Sequence, residues 1–327
     1  MKLPTAPALR RLCSLPRLGL VAIVSVAASL TVSPSMALAQ TVVADREQAP
    51  AFYRLRLGKF LITALSDGTL TLPVDKLLIG GAPGEVEAAL AKNDLDSPLE
   101  TSGNAFLIDT GDKRILVDAG AGDAFKPELG RLPLNLVASG YRPEAIDAVL
   151  ITHAHPDHAG GLVRDGKPLF PNAVVYISKA DYDALYDRTL PQAAAAAIRA
   201  AIAPYQAGGF LKIFDSSTEI FPGIKAIATP GHSPGHTSYL IESGGQRLLA
   251  WGDIVHVATV QFADPAVVIQ FDVDKMQARE QRARVLADAA QQGYWVAGAH
   301  LSFPGLGHVH SDQGRFSWVP ASYRLKP

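Results

Sequence analysis

The stretch ITHAHPDHAGG, residues 151–161, places three histidines and one aspartate within six positions. The preceding residues 145–150, AIDAVL, are apolar enough to form a buried strand, so the polar cluster follows a strand end. His153 and His155 would point to opposite sides of an extended chain, but Pro156 favours a bend that brings them together. The cluster is either a polar turn or a set of metal ligands. A tetrahedral ion takes about four ligands, so two adjacent ions would use this cluster fully.

Candidates for the remaining ligands lie in the second half of the chain. His232 lies in the Pro/Gly-rich loop of ATPGHSPGHTSYL, residues 228–240, and Asp253 and His300 each follow an apolar strand-like segment. These are transitions from apolar segment to loop, where α/β folds gather their functional groups. The only cysteine, Cys13, lies in the N-terminal leader, so the metal ligands are expected to be His, Asp or Glu.

Two segments of the chain resemble each other. FLIDTGDKRILVDAG, residues 106–120, and YLIESGGQRLLAWGD, residues 239–253, align without a gap. Each has the pattern of a β-hairpin, and each carries an aspartate at its end, Asp118 and Asp253. We interpret them as parts of two related halves that meet at a shared site. Two unrelated hairpins with similar turn chemistry are the alternative.

Strands alternate with helices along the chain, but hairpins are also present, which predicts mixed sheets with helices outside. The first strands are expected to turn around residues 67–68. An alanine-rich helix is expected to close at Pro204. A helix over 275–292 is expected to begin at Asp272 or Asp274 and to stop at the following glycine.

The N-terminus has the pattern of a secretory signal peptide. Four basic residues precede an apolar run over 18–32, and an A-x-A arrangement ends at Ala39. We therefore expect a signal peptide over 1–39, a flexible arm over 40–50 and a folded domain over 51–327, in an exported protein that is periplasmic or secreted. An uncleaved anchor is the alternative, and an arginine pair leaves both Sec and twin-arginine export open.

Composition excludes several classes of partner. The chain has 30 basic and 31 acidic residues, and loss of the leader's four basic residues leaves a formal net charge of −5. A mildly acidic chain without a basic run is not expected to bind nucleic acid. No membrane partner is expected after signal cleavage, because no other segment is long and apolar enough to span a membrane.

With 48% hydrophobic residues, the chain can bury a large core.

The opening motif, together with ILVDAG, TPGHSPGHT, WGD and a late AH, resembles the metallo-β-lactamase superfamily in its H-x-H-x-D-H form, over about residues 50–325. Further stretches resemble methyl parathion hydrolase and its lactonase relatives: ITALSDGTLTLPVDK (62–76), LVASGYRPE (136–144), FPNAVVY (170–176), VQFADP (260–265) and AHLSFPGLGH (299–308). The resemblance implies an αββα sandwich of two mixed β-sheets flanked by helices. It also implies a homodimer.

The resemblance further implies a site for two divalent metal ions, most readily zinc, with manganese, iron or cobalt as alternatives. The implied ligands are His153, His155 and His232 for one ion, Asp157, His158 and His300 for the other, and Asp253 for both. Asp118 would hold the histidine loop without binding metal. Two ions would supply a hydroxide at neutral pH, which attacks a carbonyl carbon or a phosphorus centre, with Asp253 and Asp157 as the catalytic aspartates. True β-lactamases have Cys or Ser at the position of Asp253.

The substrate is expected to be set by residues after Asp253. His256, Ile269 and Phe271 stand where methyl parathion hydrolase has smaller or aliphatic groups, and Phe125 and Phe303 are candidate stacking walls. His256 is either a hydrogen-bond donor in the pocket or a support for the ligands. A narrow pocket favours a flat aryl lactone or ester, such as dihydrocoumarin, with weak phosphotriesterase activity.

Three alternatives stay open at this point. They are a methyl parathion hydrolase-type phosphotriesterase, an acyl-homoserine-lactone lactonase, and a non-catalytic redox protein with two metal ions.

Overall fold

The computed structural model describes residues 48–187, 191–215, 217–324 and 326–327. The predicted signal peptide and most of the predicted arm lie outside these residues. Within the described ranges, no helix has the length and apolar character needed to cross a membrane.

Two sheets of seven strands each dominate the described part of the chain. In spatial order, the first sheet contains β1 (Phe52–Leu57), β2 (Phe60–Leu72), β4 (Leu99–Asp109), β5 (Arg114–Val117), β6 (Ala148–Leu150), β9 (Val174–Ser178) and β10 (Leu211–Phe214). The second contains β11 (Thr218–Phe221), β12 (Ile224–Ala228), β13 (Thr237–Ser243), β14 (Gln246–Ala250), β16 (Trp295–Ala297), β17 (Leu306–Asp312) and β18 (Arg315–Pro320). Two small ribbons pair β3 (Leu78–Ile79) with β15 (Val268–Ile269), and β7 (Val163–Arg164) with β8 (Lys167–Pro168).

The helices connect these strands. They are α1 (Val74–Leu77), α2 (Glu85–Ala91), α3 (Leu132–Ala138), α4 (Pro156–Ala159), α5 (Lys179–Ala184), α6 (Gln192–Ala207), α7 (Ala258–Gln261) and α8 (Lys275–Gln292), with short 3-10 turns at Pro143–Ala145 and Gly160–Leu162. The last long helix has the predicted bounds. The Asp274 side chain accepts the backbone N–H of Gln277 at 2.9 Å, and Gly293 ends the helix with a φ of 64°.

The buried side chains form layers that define the sandwich. Alternating residues of each strand face opposite sides of the sheet, as in β4, where Leu107 and Ile108 belong to different core clusters. Ile108 packs between the two sheets with residues of the second sheet such as Ile241 and Leu248. Leu107 packs outward against α3 and α6, and a third cluster covers the outer face of the second sheet with α8. The αββα sandwich of two mixed sheets is therefore confirmed.

The two similar segments of the sequence occupy corresponding places in the two sheets. Residues 106–120 include the last part of β4 and all of β5, which pair antiparallel, and residues 239–253 include most of β13 and all of β14, which pair in the same way. The second strand of each pair then runs parallel to its next neighbour: Ile115 pairs with Ala148, and Leu248 with Trp295. Both hairpins therefore deliver an aspartate to the same edge of the sandwich.

Two local expectations were wrong. The predicted turn at residues 67–68 is a bulge inside the long strand β2, where the register with β4 shifts between Ser66 and Gly68. Gly68 has a φ of 129°, and a Cβ there would lie 2.1 Å from the carbonyl oxygen of Glu128. The helix α6 also continues past Pro204 to Ala207, because proline removes only one backbone donor and Gly208 still donates to the Pro204 carbonyl at 3.0 Å.

Candidate metal centre

Residues 151–155 form a tight loop between β6 and the short helix α4, and the rest of the motif forms that helix and the start of the next 3-10 turn. His155 has an extended backbone (φ −95°, ψ 157°) directly before Pro156, and its carbonyl accepts the N–H of His158 at 3.2 Å. This bend brings His153 Nε2 to 2.9 Å from His155 Nδ1. The side chains at spacing two therefore converge, as the sequence predicts.

The second half of the chain completes this first group. His232, in the loop after β12, has its Nε2 atom 3.1 Å from His155 Nδ1. Asp253, just beyond β14, has its Oδ2 atom 3.2 Å from His232 Nε2 and 3.5 Å from His153 Nε2. The four potential ligand atoms lie within 4.8 Å of one another. This is the first predicted ligand set.

The second predicted set lies on the other side of Asp253. Asp157 Oδ2 is 3.4 Å from His158 Nε2 and 3.5 Å from His300 Nε2. Asp253 offers Oδ1 to His158 Nε2 at 3.1 Å and Oδ2 to His300 Nε2 at 3.2 Å. The Asp253 carboxylate therefore lies between both groups, at the position that a bridging ligand requires.

The His nitrogens and Asp oxygens of the two groups are arranged more suitably for binding metal ions than for hydrogen bonding to one another. His158 Nδ1 is engaged by the Asp118 carboxylate at 2.8 Å. His158 Nε2 and Asp253 Oδ1 are buried and lie 3.1 Å apart, but the two atoms form no hydrogen bond with each other or with any other group of the described residues. Unpartnered buried polar atoms cost free energy unless an ion satisfies them. Nitrogen atoms 2.9–3.1 Å apart also approach the separation of about 3.3 Å that follows from zinc–nitrogen bonds of about 2.0–2.1 Å in a tetrahedron.

The electrostatics of the centre call for positive charge. Burial lowers the pKa of His232, but the carboxylates of Asp253 and Asp272 outweigh burial and raise that pKa to about 9. The pKa of His158 is likewise raised well above its usual value, because three aspartates outweigh burial. Burial instead lowers the pKa of His155 to about 3. The buried carboxylates therefore favour positive charge at His158 and His232, and divalent ions would supply that charge on binding.

Oxygen atoms outside the two ligand groups, two carboxylates and one backbone carbonyl, orient three of the histidine rings. Asp118 accepts the Thr152 backbone N–H at 2.8 Å and the Thr152 hydroxyl at 2.9 Å, in addition to its contact with His158. Asp272 contacts His232 Nδ1 at 2.8 Å, and His300 Nδ1 lies 3.0 Å from the Ser102 carbonyl oxygen. Each of these contacts fixes a ring so that its Nε2 atom faces the centre.

The centre opens into a cavity of about 610 Å³. Apolar side chains dominate the part of its wall that lies away from the His/Asp groups. They are Leu70, Leu72, Phe125, Leu129, Ala184, Leu185, Pro191, Ala194, Ala195, Phe271 and Val273. Phe125 and Phe271 are 37% and 44% exposed, so each offers an open aromatic surface at the cavity.

His256 lines the inner part of the cavity, whereas Phe271 is exposed. His256 is buried, its Nε2 atom is 3.1 Å from Asp253 Oδ2, and its ring stacks on His300 with centroids 5.2 Å apart. Burial lowers its pKa to about 4. Asp253, His256 and His300 also form a third group of possible ligands.

Two predicted pocket residues do not line this cavity. Ile269 is fully buried in the ribbon β3–β15, where it pairs with Leu78 and packs in an apolar cluster. Phe303 packs against the core between the two sheets, and its N–H donates to Ser102 Oγ at 3.2 Å. We therefore correct the expectation that these side chains contact substrate.

Sequence reasoning also missed residues that support the centre. Asp181 and Asp272 are buried and contact ligand loops, and Arg282 is buried beside Asp272 at 3.4 Å. Asp181 follows Ser178 in an S-x-x-D pattern, which indicates only local helix capping. The sequence offers Asp272 as one of two possible helix caps, whereas its carboxylate contacts His232.

Comparison with known proteins agrees with this geometry. Residues 99–300 match the metallo-beta-lactamase superfamily. An N-acyl homoserine lactonase of Bacillus cereus is 31% identical over 155 residues, which are 44% of this chain and 56% of that enzyme. The chain therefore spans little more than half the length of this curated relative.

Two solved structures resemble nearly the whole described fold. AbOPH, described as a hydrolase in the beta lactamase superfamily, is 38% identical with a TM-score of 0.82, covering 85% of this chain and 100% of that one. AidC, described as a dizinc quorum-quenching lactonase in complex with the product N-hexanoyl-L-homoserine, is 27% identical with a TM-score of 0.77, covering 84% and 98%. The predicted superfamily is confirmed. The chain belongs to the metallo-beta-lactamase superfamily.

Proposed function

We propose that this protein is a dinuclear metal-dependent hydrolase that opens lactones bearing a hydrophobic group, with aryl lactones such as dihydrocoumarin as the first candidates. The observation that carries the proposal is the position of the two His/Asp groups, which lie at the base of a largely apolar cavity of about 610 Å³. This volume is within the range of about 300–1,000 Å³ that is usual for small-molecule sites.

The ligand sets assign the roles at the centre. His153, His155 and His232 would hold one ion, Asp157, His158 and His300 the other, and Asp253 would contact both. Two divalent ions in these positions would lower the pKa of a shared water and polarise the carbonyl oxygen of a lactone. We propose zinc, which suits imidazole and carboxylate ligands.

The chain's own residues position the substrate. Phe125 and Phe271 present aromatic surfaces on which a flat aryl ring can stack, and the aliphatic wall excludes water from the reacting carbonyl. His256 faces the same space, with Nε2 held near Asp253. We propose that these side chains favour planar lactones over phosphotriesters, whose tetrahedral centre carries two alkoxy arms.

N-acyl homoserine lactones are the second candidate class. The cavity has more room than two fused rings need, and its aliphatic wall, which includes Leu70, Leu72 and Leu129, suits an acyl chain. The Bacillus cereus relative and AidC are both described as lactonases, which supports a lactone as the common substrate class.

One panel tests these candidates on a single preparation of measured metal content. We expect dihydrocoumarin to give the highest kcat/KM, an acyl-homoserine lactone a lower value and a phosphotriester the lowest. A chelator should abolish all three activities, and Zn²⁺ or Mn²⁺ should restore them. Full activity of metal-free protein would overturn the proposal, as would an iron pair that changes oxidation state in a protein that hydrolyses no ester.

A double variant tests the aromatic selectivity. His256→Leu with Phe271→Leu should raise phosphotriester turnover relative to lactone turnover, because Phe271→Leu removes an aromatic surface on which a flat lactone can stack and His256→Leu replaces the ring beside Asp253 with a flexible aliphatic side chain. His310→Leu, which removes an exposed histidine on β17, is the control and should leave the ratio unchanged. An unchanged ratio in the double variant would remove His256 and Phe271 from the selectivity argument.

We also propose export through the N-terminal leader and assembly as a homodimer. The support for export is the basic, apolar and small-residue pattern of residues 1–39. The support for the dimer is the resemblance to the family alone. Fractionation of cells expressing the full chain and light scattering of the purified protein test these two proposals.

A further inference from the structure

The Asp181 carboxylate lies between the two loops that carry the first ligand set. Asp181 is on the short helix α5, directly after β9, and is only 1% exposed. Its backbone N–H donates to Ser178 Oγ at 3.3 Å, which fixes the start of the helix. The side chain is therefore held by a rigid strand end rather than by a mobile loop.

Three donors from the ligand loops converge on this carboxylate. The Ala154 N–H donates to Oδ2 at 2.8 Å, and Ala154 lies between His153 and His155. Ser233, which follows His232, donates its hydroxyl to the same oxygen at 3.0 Å, and the Gly235 N–H donates to Oδ1 at 2.6 Å. One side chain thus binds a loop from each half of the molecule.

Close packing around Gly235 reinforces this link. A Cβ at Gly235 would lie 2.2 Å from Ser178 Oγ and 2.3 Å from the Asp181 nitrogen, so only glycine allows the loop to approach the start of α5. The Ser178 hydroxyl also donates to the Gly235 carbonyl at 2.7 Å. The loop of His232 is therefore seated on α5 through both polar and steric contacts.

The bases of the two loops are joined independently of Asp181. The Thr237 N–H donates to the Thr152 carbonyl at 2.8 Å, and the Tyr239 hydroxyl donates to the Ile151 carbonyl at 2.8 Å. Loss of the Asp181 carboxylate would leave these contacts in place. It would release only the parts of the loops next to the ligands.

We propose that Asp181 is a positioning residue that holds the His153–His155 loop and the His232 loop at the separation at which three imidazoles share one metal ion. This inference rests on the proposed function. Asp181 belongs to none of the possible ligand groups, and in this role it acts through the loops that it holds. It acts on the geometry of His155 and His232, whose facing nitrogens are 3.1 Å apart.

The test compares Asp181→Asn with Asp183→Asn. The second change has the same chemistry on the same helix, but Asp183 is exposed and pairs with Lys179. In Asp181→Asn, an amide NH₂ group replaces one carboxylate oxygen. That NH₂ group faces a hydrogen-bond donor of the ligand loops, so at least one of the three hydrogen bonds is lost. We expect one of the two zinc ions to bind about 10- to 100-fold more weakly, measured by competition with a chelator. We expect kcat for lactone to fall by a similar factor while KM changes less than twofold. Asp183→Asn should match wild type.

Two outcomes would overturn the inference. The Asp181→Asn variant could bind both zinc ions with wild-type affinity, or its affinity for both ions could fall equally. If Asp181→Asn does not fold, Ser233→Ala decides, because it removes one donor and leaves both backbone donors. It should weaken the same single ion by a smaller factor, and unchanged zinc affinity would contradict the proposal. A wild-type protein that binds no zinc or opens no lactone would instead refute the proposed function.

Discussion

At the scale of single residues, Asp118 shows how a side chain outside the ligand groups controls the centre. It has a left-handed backbone conformation with a φ of 62°, which aspartate and asparagine tolerate better than most residues. From there its carboxylate accepts from Thr152 and orients His158. The position therefore suits an exchange to asparagine that changes the charge without straining the backbone.

We predict that Asp118→Asn lowers metal affinity or kcat about 10- to 100-fold, because asparagine replaces one acceptor with a donor and no longer supports the His158 ring. Metal content after dialysis and kcat at saturating zinc measure the two effects. Asp112→Asn, in the exposed turn between β4 and β5, is the matched control. Wild-type metal content and kcat in Asp118→Asn would show that Thr152 alone positions the loop.

At the scale of elements, helix α8 supports the segment that follows Asp253. Arg282, which is 1% exposed, donates from Nε to the Ile254 carbonyl at 2.7 Å and from Nη1 to the Val267 carbonyl at 2.7 Å. It also lies 3.4 Å from Asp272, the carboxylate that contacts His232. The helix therefore anchors a long connection whose residues reach the cavity.

We predict that Arg282→Met destabilises the protein by about 3–5 kcal/mol, because it removes the buried cation beside the Asp272 carboxylate and the hydrogen bonds that Arg282 donates to the Ile254 and Val267 carbonyls. Urea unfolding of metal-free protein measures the change. Arg279→Met on the exposed side of the same helix should stay within about 0.5 kcal/mol of wild type. Equal stability of the two variants would mean that α8 holds the segment by apolar packing alone.

At the scale of the whole molecule, the metal centre joins the two halves of the sandwich. The chain up to β9 supplies His153, His155, Asp157 and His158, and the chain from β12 onward supplies His232, Asp253 and His300. An ion that binds residues from both halves stabilises the folded state over the unfolded chain.

We predict that zinc raises the free energy of unfolding by about 4 kcal/mol when its free concentration is 1,000-fold above its dissociation constant. Chemical denaturation with and without a chelator measures this difference. Asp253→Asn should lose more than half of the gain, since Asp253 lies between both ligand groups. A denaturation midpoint that is the same with and without zinc would contradict the prediction that metal binding links the two halves.

Sequence reasoning succeeded where a pattern is local and failed where a residue acts across the fold. The bounds of α8 follow from helix-forming residues between Asp274 and Gly293, and the strand before His153 follows from its apolar run. The bulge at residues 67–68 was mistaken for a turn, because Asp-Gly favours both until pairing with β4 is known. The positions of Ile269 and Phe303 near the ligands in the sequence predict a place in the pocket. Strand pairing instead buries Ile269, and Phe303 packs against the core between the sheets.

The sequence by itself determined the superfamily and the layered α/β class, because spacing, hairpin patterns and strand ends are recorded in neighbouring residues. Only the tertiary structure decided which side chains line the cavity and which buried charges hold the ligand loops. Asp181 and Arg282 have ordinary neighbours in the chain, and the partners of their side chains lie between 10 and 54 residues away. Contacts of that kind depend on how the two sheets and their helices pack, which no local pattern specifies.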